Sequence, residues 1–245
     1  MTLYDKLYKI LIYGDSWKTI LKGLLVTVQI SFVALILGTV LGAFICLLRT
    51  RKRPIVKGLA AVYIAVLRGT PVLMLLLLLY YGVFARAGLE PVTVAIITFS
   101  LNVSAHVAEL LRSALLASDK GQAEAARTLG FSAWSTFRLV TLPQVLRIAK
   151  PVYQSTIVNL IQWTSVVGYV TITDLTRVIN NTAARTMQPL LTISIGMLIY
   201  LAFSYVVFGI FALTDKISEK KRRQNRHNRR LRLREKCTSK IIISA

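Results

Sequence analysis

Acidic residues, histidine and cysteine are scarce in this chain of 245 residues. It has 10 Asp and Glu against 31 Lys and Arg, with only two His and two Cys. Cys46 and Cys237 indicate no disulfide framework, and the sequence contains neither a metal-ligand cluster nor a nucleophile elbow. It also lacks Gly-x-x-x-x-Gly-Lys-Ser/Thr, so it cannot cradle nucleotide phosphates in the Walker manner. We therefore find no enzyme site in the sequence.

Apolar residues are abundant, and they are concentrated in blocks. They make up 55% of the chain. Five blocks reach the length of about 20 residues that a helix needs to cross a bilayer. We predict an all-α integral membrane protein with about five transmembrane helices. The predicted spans are 23–48, 58–85, 92–117, 152–172 and 189–213.

The basic residues are distributed unevenly between the loops that separate these blocks. Lys and Arg number five in 49–57, six in 112–150 and twelve from residue 216 onward, against one in 85–91 and two in 173–188. Loops rich in Lys and Arg remain on the cytoplasmic side of a membrane. This alternation explains the net charge of +21 by membrane orientation rather than by binding of nucleic acid.

The same rule divides the chain into three parts. We expect an external N-terminal segment, 1–18, a transmembrane domain, 19–215, and a basic cytoplasmic tail, 216–245. Four lysines in the first 22 residues oppose an external start mildly. The tail lacks the interleaved aromatic residues typical of nucleic-acid binding, and we expect it to lie near anionic lipid.

A polar segment, 121–143, separates the third and fourth predicted spans. Its pattern predicts a short helix with Glu124 in the first turn, where a carboxylate complements the positive helix end. Gly130 is expected to end that helix, and Ser132 to cap a second one. We expect Pro143 to kink or stop the second helix. A membrane protein with such a loop is expected to present it to a soluble partner.

The order of residues in this segment resembles the EAA loop of permease subunits in bacterial ATP-binding-cassette (ABC) importers. Glu-Ala-Ala, three residues, Gly, nine residues, Val, one residue and Leu-Pro follow that pattern, and only Val140 departs from it, since Ile is usual there. The resemblance implies that nine residues couple the chain to an ATPase: Gly121, Gln122, Glu124, Ala125, Ala126, Leu129, Gly130, Leu142 and Pro143.

The resemblance also implies a type I ABC importer permease fold and its partners. In that fold two permease chains, alike or different, bound a cleft. Two ATP-binding subunits hold the coupling loops from the cytoplasm, and an extracytoplasmic solute-binding protein docks on the other face. ATP and Mg would then be bound by the partner ATPase and not by this chain, which would be a non-catalytic subunit of the inner membrane.

Arg68, Gly69, Thr70 and Pro71 interrupt the second apolar block. One interpretation is a kinked helix whose Arg68 extends toward water. An Arg at the middle of the membrane costs about 2.5–3.5 kcal/mol, so its charge is expected to face protein or a watery cleft. The segment resembles the RGTP sequence of the polar-amino-acid branch of these permeases, which implies polar amino acids as cargo and a place at the translocation cleft.

His106, Glu109 and Arg112 share one helical face in the third block, because they are spaced by three residues. An intrahelical ion pair accounts for the last two. The resemblance implies that Glu109 and Arg112 fix the helix leading into the coupling loop, while His106 stands where the family usually has Tyr. His106 either lines the translocation cleft or is an ordinary packed side chain.

Four polar residues, Asn159, Gln162, Thr164 and Ser165, lie inside the fourth block. Unsatisfied polar groups are costly in lipid, so these side chains are expected to face a subunit interface or a pore. Many polar-amino-acid permeases have a Lys-Asp pair here, and this chain lacks it. A permease of the same fold for another solute, such as methionine or a sulfonate, therefore stays open.

Two alternatives of other classes follow from the same residues. An ion-coupled secondary carrier would need intramembrane carboxylates, and Glu109 is the one candidate in the apolar blocks. A sensory or scaffold membrane protein would leave the spacing of the 121–143 segment unexplained. The sequence therefore favours a permease subunit of an importer of polar amino acids.

Overall fold

The computed structural model describes residues 3–213, so the predicted basic tail lies outside the described residues. The described part is helical and contains no strand. Ten α-helices are α1 Leu3–Leu11, α2 Ser16–Arg49, α3 Pro54–Gly69, α4 Val72–Leu77, α5 Pro91–Leu116, α6 Lys120–Thr128, α7 Ala133–Thr136, α8 Leu142–Trp163, α9 Leu175–Thr186 and α10 Pro189–Leu213. Short 3-10 helices at Tyr13–Asp15 and Thr164–Val170 precede α2 and follow α8, and π-helical turns at Leu78–Val83 and Phe137–Thr141 follow α4 and α7.

The chain divides into two compact units, 1–200 and 201–245. The first unit contains α1 to α9 and the beginning of α10. Within the second unit the described residues, 201–213, are helical.

Three of the predicted spans are single apolar helices long enough to cross a membrane: Tyr13–Arg49, Pro91–Leu116 and Pro189–Leu213. The second predicted span is not one continuous helix, because Pro54–Gly69 and Val72–Val83 meet at a bend of 107°. The fourth predicted span, 152–172, begins within α8 and ends in the 3-10 helix Thr164–Val170. Among the described residues α8 is not one of the strongly apolar helices, since it also carries Arg147 and Lys150.

Small residues on α2 allow it to pack closely against α5. Ala34, Gly38 and Gly42 recur at four-residue spacing on the buried face of α2. A Cβ at Gly38 would lie 2.7 Å from the Val103 side chain, and one at Gly42 would lie 2.7 Å from the Val107 side chain. Small residues at this spacing let the backbones of membrane helices approach each other. The contact forms the centre of the first unit's core.

Glycines on α2 and α10 allow both helices to approach α9 closely. A Cβ at Gly23 on α2 would lie 2.9 Å from the Asp174 carbonyl oxygen, and one at Gly196 would lie 2.9 Å from the Ile179 side chain. The Leu175 amide donates a hydrogen bond to Thr27 Oγ1 on α2 at 3.4 Å. The segment from Asp174 through α9 is therefore fixed by backbone contacts on two sides.

Candidate coupling loop and translocation surface

The first helix of the predicted coupling loop begins earlier than its sequence pattern suggested. α6 starts at Lys120, and Asp119 Oδ1 accepts a hydrogen bond from the Gly121 amide at 2.9 Å. Glu124 is thus the fifth residue of the helix, and the prediction that it lies in the first turn is wrong. Asp119 supplies the negative charge at the helix start because its side chain reaches the free amide first.

The C-terminal end of α6 is a Schellman motif built around Gly130. Gly130 has a φ of 85°, its amide donates to the Arg127 carbonyl at 3.1 Å, and the Phe131 amide donates to the Ala126 carbonyl at 3.2 Å. Arg127 Nη1 also donates to the Phe131 carbonyl at 2.8 Å. These bonds satisfy carbonyls that a helix end leaves free. The prediction that Gly130 ends the helix is confirmed.

The second helix of the loop begins as predicted but does not end at Pro143. Ser132 Oγ accepts a hydrogen bond from the Ser135 amide at 3.1 Å and caps α7. The π-helical turn Phe137–Thr141 then leads directly into α8, in which Pro143 is the second residue. Pro lacks an amide hydrogen, but at a helix start that donor has no intrahelical partner. Pro143 therefore stands at the beginning of a long helix and does not stop one.

Gln144, in the first turn of α8, connects that helix to α6. Its Nε2 donates to Gln122 Oε1 at 2.9 Å, and its Oε1 accepts from the Asp119 amide at 3.1 Å. Sequence reasoning selected Gln122, Leu142 and Pro143 but missed Gln144, because only the fold brings it beside α6. These hydrogen bonds connect α6 and its capping residue Asp119 to the first turn of α8.

The loop exposes apolar side chains next to polar ones. Leu129 and Trp134 are 78% and 68% exposed, and Phe131 is 40% exposed. Glu124 and Ala125 are also exposed, whereas Ala126 packs inward. Clusters of exposed apolar side chains with a polar rim are typical of protein interaction sites. The exposed residues Glu124, Ala125, Leu129, Phe131 and Trp134, called the coupling surface below, together have the chemistry of a contact with a soluble protein.

The bend between α3 and α4 falls on the predicted RGTP segment. Thr70 closes α3, since its amide and its hydroxyl both donate to the Val66 carbonyl, at 3.0 and 2.8 Å. Asn102 on α5, which is 3% exposed, donates from Nδ2 to the Leu67 carbonyl at 3.1 Å. Asn102 was missed in the sequence, where its signal was a lone Asn in an apolar block. It satisfies a backbone carbonyl that the break in the helix leaves free.

The remaining residues of the bend face out of the chain. Arg68, Gly69 and Pro71 are exposed in the single chain, and Thr70 is half-buried. Added atoms at Gly69 would meet nothing within 4 Å. The exposed guanidinium at a broken membrane helix agrees with a position at a watery cleft or at another chain.

Glu109 and Arg112 form a bidentate ion pair within α5. Arg112 Nε donates to Glu109 Oε2 at 2.9 Å, and Nη2 donates to Oε1 of the same carboxylate. His106, one turn before, is half-buried and packs against Trp163 of α8, with 5.1 Å between the ring centroids. His106 thus connects α5 to α8, while Glu109 and Arg112 pair with each other within α5. The contact with Trp163 agrees with the interpretation of His106 as an ordinary packed side chain.

The polar stretch at the end of α8 divides into an outward and an inward part. Asn159 and Gln162 are exposed. Thr164 is fully buried and donates to the Ile161 carbonyl at 2.6 Å, so it does not face an interface or a pore as expected. Ser165 is half-buried and lines a polar concavity at the start of α9. The expectation that these residues face an interface or a pore is thus wrong for Thr164, and for Asn159, Gln162 and Ser165 it stays a prediction.

Comparison with known proteins identifies the family. The model of the family described as the inner membrane component of binding-protein-dependent transport systems matches residues 34–217. This chain belongs to that family, so it is a membrane component of such a transport system. The family that the resemblance implied is therefore confirmed.

Relatives of the chain are similar over most of their length. A protein of Bacillus subtilis strain 168 named a probable amino-acid ABC transporter permease, YckA, is 38% identical over 209 residues, which are 84% of this chain and 90% of that protein. The L-cystine transport system permease TcyL of the same strain is 32% identical over 233 residues, covering 90% and 94%. The crystal structure of an amino acid ABC transporter with histidines matches with a TM-score of 0.74 and 29% identity, over 81% of this chain and 94% of that one. The fold is that of a type I ABC importer permease.

Proposed function

We propose that this chain is the transmembrane permease subunit through which an ABC importer moves polar amino acids across the inner membrane. The family and the amino-acid importers among its relatives support this function. The observation that carries it furthest is the coupling surface, where the Schellman end at Gly130 presents Leu129 and Phe131 beside Glu124.

The proposal places the coupling surface in the cytoplasm, where a separate ATP-binding subunit holds it. This orientation rests on the excess of Lys and Arg in the loops 49–57 and 112–150. The N-terminus is then outside, and the C-terminus is cytoplasmic. ATP and Mg belong to the ATPase, and a solute-binding protein delivers the amino acid to the outer face. A second permease chain completes the cleft, lipid surrounds both, and nucleic acid has no part.

The geometry supports a lever that carries movement from the ATPase into the membrane. When the ATP-binding subunits close, they displace α6. Gln144 transmits that displacement because it bonds Gln122 in α6 and the amide of Asp119. α8 then moves against α2, with which it shares the hydrogen bond between Tyr153 Oη and Thr39 Oγ1 at 2.8 Å. Rigid-body movement of this kind opens the cleft to one side at a time.

The structure argues against the ion-coupled carrier. Such a carrier needs an intramembrane carboxylate that gains and loses a proton or an ion. Glu109 accepts two hydrogen bonds from Arg112, so its two oxygens belong to a structural pair within α5. The carboxylate that an ion-coupled carrier would need is therefore already bound by Arg112.

The test of the proposed function is Glu124→Lys in the assembled importer, reconstituted with its ATPase and binding protein. We expect ATP-driven amino-acid uptake to fall at least about tenfold, because the reversed charge stands on the coupling surface, while the chain still enters the membrane. Glu90→Lys, an exposed glutamate in the loop before α5, is the matched control and keeps normal uptake. Normal uptake by Glu124→Lys would overturn the coupling role.

A further inference from the structure

A polar concavity of about 470 Å³ lies where α9 begins, away from the coupling surface. It is lined by the 3-10 helix Thr164–Val170 and by the first turns of α9. The residues that can hydrogen-bond or carry charge there are Ser165, Tyr169, Thr176, Arg177 and Asn180. Its volume falls in the range of small-molecule sites, about 300–1,000 Å³. The concavity can accommodate one amino acid.

Arg177 is held in place at this concavity. Its amide donates to Asp174 Oδ1 at 3.0 Å, and its Nη1 donates to the Gly168 carbonyl at 3.4 Å. Arg177 is half-buried and lines the concavity. A guanidinium that is already positioned loses less conformational entropy when it binds a ligand. Arg177 is therefore a cation whose position is largely fixed before a ligand binds.

The acidic residue nearest in sequence does not neutralise this cation from the concavity. Asp174 is 0% exposed, and its second oxygen, Oδ2, accepts a hydrogen bond from the Thr176 amide at 3.0 Å. Both of its oxygens are therefore used by backbone amides at the start of α9. The lining contains one cation and no anion among the described residues. Its charge is suited to a carboxylate, which Arg binds with two parallel hydrogen bonds.

The concavity continues an exposed polar line along α8. Asn159 and Gln162 are exposed, and Ser165 follows at the same three-residue spacing into the concavity. Such spacing keeps side chains near one face of a helix. In a membrane helix an exposed polar line needs water, a solute or a polar partner. The concavity thus lies at the end of this exposed polar line.

We propose that the concavity is a cargo subsite in which Arg177 binds the α-carboxylate of the transported amino acid. The hydroxyl groups of Ser165 and Tyr169 are available for its ammonium group. The inference rests on the proposed amino-acid cargo and adds the part of the amino acid that is recognised. A carboxylate of the docked binding protein is the other source of the same chemistry, and the experiment separates the two.

The test uses a reporter cysteine at the edge of the concavity, with Arg177 left intact. In the complete importer with Cys46→Ala and Cys237→Ser, Asn180→Cys is treated in detergent with an anionic methanethiosulfonate. The protecting probe is the labelled L-amino acid that the parent complex takes up fastest from a panel. We expect the free amino acid to slow modification at least about fivefold, and its carboxamide not to do so.

Two further variants separate local binding from general effects. Adding Arg177→Gln abolishes the protection, and it also lowers uptake while ATP hydrolysis by the complex continues. The neighbouring Asn181→Cys, which lines a different concavity, is the control and shows no protection by the amino acid.

The outcomes distinguish this site from the proposed function. If no L-amino acid is taken up by the parent complex, the proposed cargo is wrong. If one is taken up but the amino acid and its carboxamide protect equally, or Arg177→Gln changes neither protection nor uptake, only the subsite is wrong. Protection by ligand-free binding protein and not by the amino acid would assign Arg177 to docking and would also overturn the subsite.

Discussion

Replacement of Gly130 by residues with a Cβ isolates the backbone geometry of the coupling loop. Gly130 has a φ of 85°, and a Cβ built on it would meet no other atom within 4 Å. A substitution therefore adds no clash, and its cost comes from the left-handed backbone alone. That cost is about 1–2 kcal/mol for an ordinary L-residue and less for Asn, which tolerates this conformation.

This cost acts on the end of α6, where the Phe131 amide bonds the Ala126 carbonyl. A change of 1–2 kcal/mol alters the ratio of closed to open forms about 5–30-fold. We expect the Phe131 amide of Gly130→Ala to exchange its hydrogen faster by a factor in that range. ATP-driven uptake should fall in the order Gly, Asn, Ala, Val, because the loop holds its coupling geometry for a smaller fraction of the time.

The assay combines hydrogen exchange with uptake and ATP hydrolysis in proteoliposomes containing the complete importer. Gly88→Ala is the matched control, since Gly88 also has a positive φ, 63°, and open space around its Cβ position, but lies in the loop before α5. It should leave uptake unchanged. Equal uptake and equal exchange for Gly130→Asn, Gly130→Ala and Gly130→Val would refute the reasoning.

Two other predictions concern the membrane domain. Gly42→Ala should lower the free energy of unfolding by about 1–3 kcal/mol, because its Cβ would lie 2.7 Å from the Val107 side chain. Gly58→Ala, whose Cβ would meet no atom within 4 Å, should be neutral or slightly stabilising. Thermal unfolding in detergent compares the two variants, and equal midpoints would contradict the close packing. Burial raises the pKa of Asp174, although hydrogen bonds from two backbone amides oppose the shift. The native state then binds the proton of the Asp174 carboxyl more tightly than the unfolded chain does. The stability that this protonated side chain contributes is therefore lost as the pH rises through the range above the ordinary pKa of Asp. Subtracting the pH profile of Asp174→Asn from that of the parent should show this fall, and a rising or flat difference would contradict it.

Local rules made the coupling loop readable from sequence. Gly130 and Ser132 act through their own backbone neighbours, so their residue types alone indicate a helix end and a cap. The same rules failed for Glu124 because another acidic residue, Asp119, stands at the start of the helix. Asp119, five residues earlier, bonds the Gly121 amide and begins the helix before Glu124. The prediction of the element was right, and the prediction of its first turn was not.

Contacts between distant segments could not be predicted in the same way. Asn102 bonds a carbonyl 35 residues away, and Gln144 bonds a side chain 22 residues away. Each is a polar residue whose partner exists only after the helices pack. Gly38 and Gly42 are different, because their spacing is visible in the sequence and indicates a close helix contact. It does not reveal that the partner is α5 at Val103 and Val107.

The exposed surface of the first unit is of two kinds, and the difference indicates what covers each. α2 exposes Phe32, Val40 and Phe44, which are 62%, 67% and 54% exposed, and an apolar surface of this kind suits lipid. Gln29, one turn before these residues, is the exposed amide of α2, whereas α8 exposes two amide side chains near its end, Asn159 and Gln162. Amide side chains in hydrocarbon would lack hydrogen-bond partners, at a cost of several kcal/mol each. We therefore expect the end of α8 near Asn159 and Gln162, and not the 32–44 stretch of α2, to border the translocation cleft and the second permease chain.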